Sequence, residues 1–364
     1  MNGSLCSPAT SVGYINKPCV EVTVCEPGTA TCQTITDILL DSGDSGLRIF
    51  KQALSGLTLT QVTIGSNPLA DCVQYGDGSS VWGPVQEADV TLGGEPTVHN
   101  MPIHVLDSTF GTAPSGCRNA SQNPLDAGFN GILGIGSFAQ DCGTACTSIA
   151  TNGMYYTCTG STSGSTCSGT TVPVLNQVQQ PVSLLGSDNN GVIVQLPPVP
   201  PGGSSSVDGY LVLGIGTQPN NAVSSGVVAY PADPTYGEFL TNVGGTEYYS
   251  FIDTGSNGLF FPSTSIPSCT GVNSVWLCPG STMTLAGTTM GYSGSPSGVV
   301  SFQIGNFNSL IASSNNVFPD VGANQPGGFD WGLPFHFGRN VYIGIEGKTA
   351  PGLGTGPYWG YWAY

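Results

Sequence analysis

Apolar and polar residues alternate along most of this chain in short runs, and Gly, Ser, Asn and Pro separate one run from the next. Val20-Glu21-Val22-Thr23-Val24 and Ala88-Asp89-Val90-Thr91-Leu92 have the period of two that places successive side chains on opposite faces of a sheet. Phe129-Asn130-Gly131-Ile132-Leu133-Gly134-Ile135-Gly136 is a short apolar run ending in glycine, which predicts a buried strand with a tight exit. Turn residues between strand-like flanks predict hairpins at 25–32, around Pro27-Gly28, and at 73–83, with Tyr75 at the start of the turn. No long stretch holds a 3.6-residue apolar period. The pattern predicts an all-β protein with many turns.

Two runs stand apart because they repeat each other. Phe251-Ile252-Asp253-Thr254-Gly255-Ser256-Asn257-Gly258-Leu259-Phe260-Phe261 reads as an apolar strand, a carboxylate, a tight turn and a return to apolar sequence. Ile38-Leu39-Leu40-Asp41-Ser42-Gly43-Asp44-Ser45-Gly46-Leu47 has the same layout. Asp41 matches Asp253, Ser42 matches Thr254, Gly43 matches Gly255, and Gly46 matches Gly258. Such a repeat predicts a duplicated unit that brings two carboxylates together, and apposed carboxylates sharing a proton can activate a water. The alternative for each Asp is a turn cap.

Composition narrows the picture. The 364 residues suffice for two units of ordinary size, and 39% hydrophobic with 9% aromatic residues can supply a core, which argues against disorder despite 54 Gly. A net charge of −16 with only six Lys and Arg leaves no basic patch to meet phosphate, so nucleic-acid binding is excluded. The acidic surface suits a low-pH setting, or simply solubility. Twelve Cys, with close spacings at Cys25/Cys32, Cys142/Cys146, Cys158/Cys167 and Cys269/Cys278, favour disulfides in an exported protein, with connectivity left open. With three His and no CxxC pair, zinc is disfavoured, and no metal or cofactor is expected. No apolar run is long enough for a membrane span. No signal peptide is legible, so the chain reads as a mature part behind an added Met1. His99 and His104 are expected at the surface and His336 in a structural place; Asn119-Ala120-Ser121 is a glycosylation triplet.

Along the chain, the first 18 residues read as polar loop and 140–170 as an insertion held by disulfides. The Pro- and Gly-rich stretch 197–203 reads as a linker or a surface loop, and the uncharged aromatic tail from Pro357 to Tyr364 as a packed terminal strand. Residues 1–218 and 219–364 are the expected two units.

In that order, the motifs resemble pepsin-like aspartic proteases. Asp253-Thr254-Gly255-Ser256 and Asp41-Ser42-Gly43 resemble the family's two catalytic loops. Tyr75-Gly76-Asp77-Gly78-Ser79 resembles its flap hairpin. Phe129 to Gly134 and Trp331-Gly332 resemble the strands that cross under those loops. The resemblance spans roughly 20–364 and looks most like a little-characterised bacterial branch. It implies a bilobed fold of two pseudo-symmetric β-barrel-like lobes around a central cleft. It also implies Asp41 and Asp253 as a catalytic dyad, with Ser42 and Thr254 bracing the loops and Ser256 donating to Asp253. Tyr75, Gly76, Asp77 and Ser79 close over substrate, and Phe129 and Ile132 line an apolar pocket.

Three positions depart from the family's pattern. Asp44 stands where a hydroxyl residue supports the first Asp, Arg48 where the family often has Trp, and Asp330 near a position usually apolar. Asp44 is therefore expected to add charge beside Asp41 and to mimic the missing hydroxyl only when protonated, which would confine activity to acidic pH. Two functions follow. One is a secreted, cell-surface or periplasmic monomeric endopeptidase acting on extended polypeptide. The other is a catalytically impaired pepsin-fold binding or inhibitor protein.

Overall fold

Strand pairing, not helix packing, organises this chain: strands take 40% of it and helix 11%, so the all-β expectation holds. The computed structural model describes residues 5–6 and 14–362. The rest of the polar leading segment and the last two residues of the aromatic tail lie outside the described residues.

Six strands close into a barrel. Going round, they are Cys19–Cys25, Cys32–Asp41, Gly131–Ile135, Ser45–Phe50, Val98–Leu106 and Ser80–Thr91, and the last pairs back onto the first. Ser45–Phe50 and Gly131–Ile135 are buried along their whole length, as is the end of Cys32–Asp41 that leads into the carboxylate. Strands with parallel neighbours are covered on both faces, which is why these runs read as continuous apolar sequence and not as alternation.

A second, open sheet of seven strands repeats the arrangement. Cys32–Asp41 runs parallel to Gly131–Ile135, which is antiparallel to Ser45–Phe50, which is parallel to Val98–Leu106. Thr246–Ile252 runs parallel to Phe329–Trp331, which is antiparallel to Leu259–Phe261, which is parallel to Gly322–Asn324. The sequence repeat is thus a repeat of pairing geometry. Crossing under each loop requires a missing side chain. A Cβ on Gly134 would stand 2.7 Å from the backbone of Asp44 and Ser45, and one on Gly332 would stand 1.9 Å from the Gly258 carbonyl.

A third sheet of five strands takes strands from both sides of residue 218: Gly191–Gln195, Tyr210–Leu213 and Val228–Pro231 combine with Asn340–Gly344 and Tyr358–Tyr361. Tyr358–Tyr361 of the aromatic tail is therefore a packed strand, with Tyr361 stacked on Tyr230 at 4.7 Å, whereas Trp362 after it is exposed.

All twelve cysteines are paired. The four close spacings form bridges, and Cys6–Cys19 and Cys72–Cys117 complete the set. The insertion at 140–170 carries two of them and adds strands Tyr155–Cys158 and Cys167–Gly169 beyond the hairpin strand Asn67–Gln74. Among the described residues no helix is long and apolar enough to cross a membrane.

Candidate active site

Each carboxylate sits where a strand runs into the interior, ends and its chain turns. The two turns are laced together by reciprocal hydrogen bonds across 212 residues of sequence. The Thr254 hydroxyl accepts from the Ser42 N–H at 2.9 Å and donates to the Leu40 carbonyl at 2.7 Å. The Ser42 hydroxyl accepts from the Thr254 N–H at 2.9 Å and donates to the Ile252 carbonyl at 2.8 Å. Both hydroxyls are buried and both use donor and acceptor capacity on backbone, so the lacing fixes the separation of the loops.

This lacing brings Asp41 and Asp253 together. The Gly43 N–H donates to Asp41 Oδ1 at 2.8 Å and also reaches Asp253 Oδ1 at 3.2 Å. Gly43 and Gly255 are needed for the approach, since a Cβ on either would stand 2.7 Å from the opposite carboxyl carbon. Asp253 also accepts from the Gly255 N–H at 2.7 Å and the Ser256 hydroxyl at 2.8 Å. Asp41 accepts from the Asp44 N–H at 3.0 Å. Burial pushes Asp41 well above the usual carboxylate range, and the charges of Asp253 and then Asp44 push it the same way. Two carboxyls this close cannot both ionise freely, so the pair holds a shared proton.

The fourth residue of each loop behaves differently. Ser256 points its hydroxyl at Asp253, whereas the Asp44 side chain turns away from Asp41. Asp44 Oδ2 accepts from Arg48 Nε at 2.8 Å and from the Tyr75 hydroxyl at 3.2 Å. Its Oδ1 accepts from the Ser45 N–H at 2.7 Å and Arg48 Nη2 at 3.2 Å. Asp44 thus meets donors on both oxygens and does not imitate a hydroxyl toward Asp41, contrary to the expectation drawn from the sequence.

Arg48 is fully buried and also meets Asp71 at 2.7 Å and Asp141 at 3.3 Å. Burial pushes Asp71 up against the opposing pull of Arg48; it pushes Asp141 well up, with Asp71's charge adding to it. His104 lies inside this cluster with no exposure, so its expected surface position is corrected; burial, then Arg48, push it well below the ordinary histidine value. Its alternation with His99 puts the two on opposite sides, and His99 is the exposed one, 2.8 Å from Asp89. His336 is buried, as expected of a structural residue, and burial with Arg339 pushes it down to about 3.

A cavity of about 640 Å³ opens over the carboxylates. Tyr75, Gly76, Asp77 and Ser79 of the hairpin tip line it, and so do Phe129 and Ile132, Gly43, Gly255 and Ser256. Ser42, Asp44 and Thr254 support the loops without lining it. The hairpin is held on its far side: Asn67–Gln74 pairs with Tyr155–Cys158 and is bridged by Cys72–Cys117.

Three contributors escaped the sequence reading or took an unforeseen role. Tyr14, from the leading segment, donates its hydroxyl to the Gly255 carbonyl at 3.3 Å and lays its ring beside Gly128 inside the cavity. No local motif signals it, because its partner lies 241 residues away. Arg48 is the hub of the buried cluster, and Asp330 lines the cavity at 5% exposure. Cys6, Cys19 and Asp37 lie within 4.8 Å of one another, but the two sulfurs are joined to each other and are not thiolate ligands.

A family model described as "Protein of unknown function (DUF3443)" matches residues 4–361. The chain belongs to that family. No curated protein matches it. In this DUF3443 protein the chemistry-bearing features are the paired carboxylates, the cavity above them and the hairpin that borders it.

Proposed function

We propose that this protein is an aspartic endopeptidase of the pepsin-like kind. It would hydrolyse peptide bonds of extended polypeptides at acidic pH, as a monomer outside the cytoplasm. The closed barrel and the open seven-stranded sheet serve in this reading as the two lobes of a bilobed pepsin-like fold. Six disulfides fit an oxidising compartment. The observation that carries the reading is that two copies of one loop deliver two carboxyls to a single N–H donor, that of Gly43, at the floor of a cavity.

The chemistry follows from one proton shared by the pair. Asp253 takes a proton from a water lying between the carboxyls, and the water oxygen bonds to the peptide carbonyl carbon. Protonated Asp41 donates to the carbonyl oxygen as charge develops there. When the tetrahedral intermediate collapses, the carbon–nitrogen bond breaks and the nitrogen takes up a proton from the pair. The pair needs one proton in total, so activity falls as pH rises past the raised value of Asp41.

The test is cleavage of an unfolded protein at pH 3 to 5, with and without a statine-type inhibitor, against Asp253→Asn. The expected result is inhibitor-sensitive cleavage by the wild type and loss in the folded variant. A second reading, a pepsin-fold binding or inhibitor protein, is favoured by one observation: Asp41 has no counterpart of the Ser256 hydroxyl. Folded wild type that cleaves nothing in this assay would select it.

A further inference from the structure

The duplicated pairing sets matching residues on the two sides of the cavity, and one matched pair differs in kind. Ile132 lies opposite Leu39 in the first unit, and Asp330 lies opposite Phe251 in the second. Leu39 and Phe251 occupy the same place in the repeat, two residues before Asp41 and Asp253. All four line the cavity. The first side is therefore apolar where the second carries a carboxyl.

Asp330 is only 5% exposed, and its Oδ1 has no hydrogen-bond partner. Burial, then the charge of Asp253, push its carboxyl well above the ordinary range. A buried carboxyl with an unused oxygen costs stability unless something occupies it. The described residues lining the cavity include Asp41, Asp77, Asp126, Asp253 and Asp330 and no Lys or Arg. Phe251 and Phe260, also lining it, flank Asp330 in the pairing and offer apolar surface to a side-chain stem.

We propose that Asp330 is the floor of a subsite for a basic side chain, so that the preferred substrate carries Lys or Arg on the Asp253 side of the bond and an apolar residue on the Asp41 side. The inference rests on the endopeptidase reading and names its substrate class. The aliphatic stem of Lys or Arg lies against Phe251 and Phe260, and the cation meets the Asp330 carboxyl where it lines the cavity. Seating it displaces the Asp330 proton to solvent, which exchanges an uncompensated buried acid for an ion pair.

The experiment compares peptides that differ only in Lys, norleucine or Glu at each position flanking a cleaved bond, with wild type, Asp330→Leu and Asp330→Asn. The expected result is a Lys-over-norleucine ratio in kcat/KM of at least about tenfold at one flanking position. Glu should be rejected there, and the ratio should fall to near one in either variant that gives the folded circular dichroism spectrum. Cleavage by the wild type without charge preference, or a preference that survives both substitutions, overturns the subsite and leaves the endopeptidase reading standing. If the wild type cleaves none of the peptides, that reading fails separately, and fluorescence anisotropy with the same labelled peptides decides the subsite. Lys-selective binding lost in the Asp330 variants supports it, and equal binding of Lys and norleucine peptides overturns it.

Discussion

The two carboxylate loops share one backbone plan and stand on different foundations. Under Asp253 lies an aromatic stack: Phe329 is 4.2 Å from Trp331 and 5.2 Å from Phe261, ring centre to ring centre, with Phe302 edge-on to all three. Beside Asp41 lies a buried ion cluster in which one guanidinium faces the carboxyls of Asp44, Asp71 and Asp141. The aromatic side is self-sufficient, since its contacts need no partner of opposite charge. The ionic side is interdependent, because each charge withdrawn from water is tolerated only while its partners stay in place. The lesson is that a duplicated frame can keep its hydrogen-bonded lacing while one copy exchanges a hydroxyl for a carboxylate, provided an arginine comes with it.

The comparison can be broken at several points. Asp41→Asn and Asp253→Asn each remove a carboxylate from the shared site, and each should cut cleavage on the order of a thousandfold while the far-ultraviolet spectrum stays unchanged. If either variant keeps its activity when folded, the two loops do not act as a pair.

Arg48→Met tests the ionic foundation. It leaves Asp44, Asp71 and Asp141 buried without their cation, and urea unfolding should register a loss of roughly 3–5 kcal/mol. A loss well under that would mean the cluster is neutralised by protonation alone.

Asp44→Ser gives the first loop the residue type of the second. The hydroxyl cannot hold Arg48 as a carboxylate does, and Tyr75 loses its acceptor, so kcat/KM should fall about tenfold. An unchanged rate with activity extending toward neutral pH would instead restore the view of Asp44 as a misplaced charge.

A smaller effect concerns pH and stability. The folded-state value of Asp141 is raised. The folded protein thus keeps a proton that the unfolded chain releases above about pH 3.9. Its contribution to stability is fully present below that pH and is lost as pH rises through the folded value. Asp141→Asn should flatten this decline between pH 4 and neutral in thermal unfolding. His104 and His336, both lowered, act in the opposite direction, losing stability as pH falls below about 6.5. A wild-type profile shaped by the histidines alone would reject the Asp141 contribution.

Ser256→Ala, the mildest change, removes one donor from Asp253, and a decrease of roughly fivefold in kcat/KM is expected. A larger decrease than that of Asp44→Ser would show that the second loop is the more sensitive of the two.

Much of this site was legible in the residues. The repeated loops, the hairpin at 73–83 and the four close cysteine pairs are all local patterns, set by turn chemistry and short chain spacing. Arg48 read as a departure because its partners Asp71 and Asp141 lie 23 and 93 residues away. His104 sits on an alternating strand whose face could not be assigned until its neighbours were known, and it turned inward. Cys6–Cys19 and Cys72–Cys117, separated by 13 and 45 residues, offered no spacing cue of comparable strength.

By itself the sequence determined the strand-and-turn character of the chain, the duplication and the identity of the two carboxylates, because period, turn residues and a repeated motif are properties of neighbouring positions. Only the tertiary structure decided that burial and neighbouring charge raise Asp41, where Asp44 points, that Tyr14 lines the cavity and that Asp330 is left with an unpartnered oxygen. Those outcomes depend on desolvation and on distances between charges in space, and both are created when strands remote in sequence close around one another.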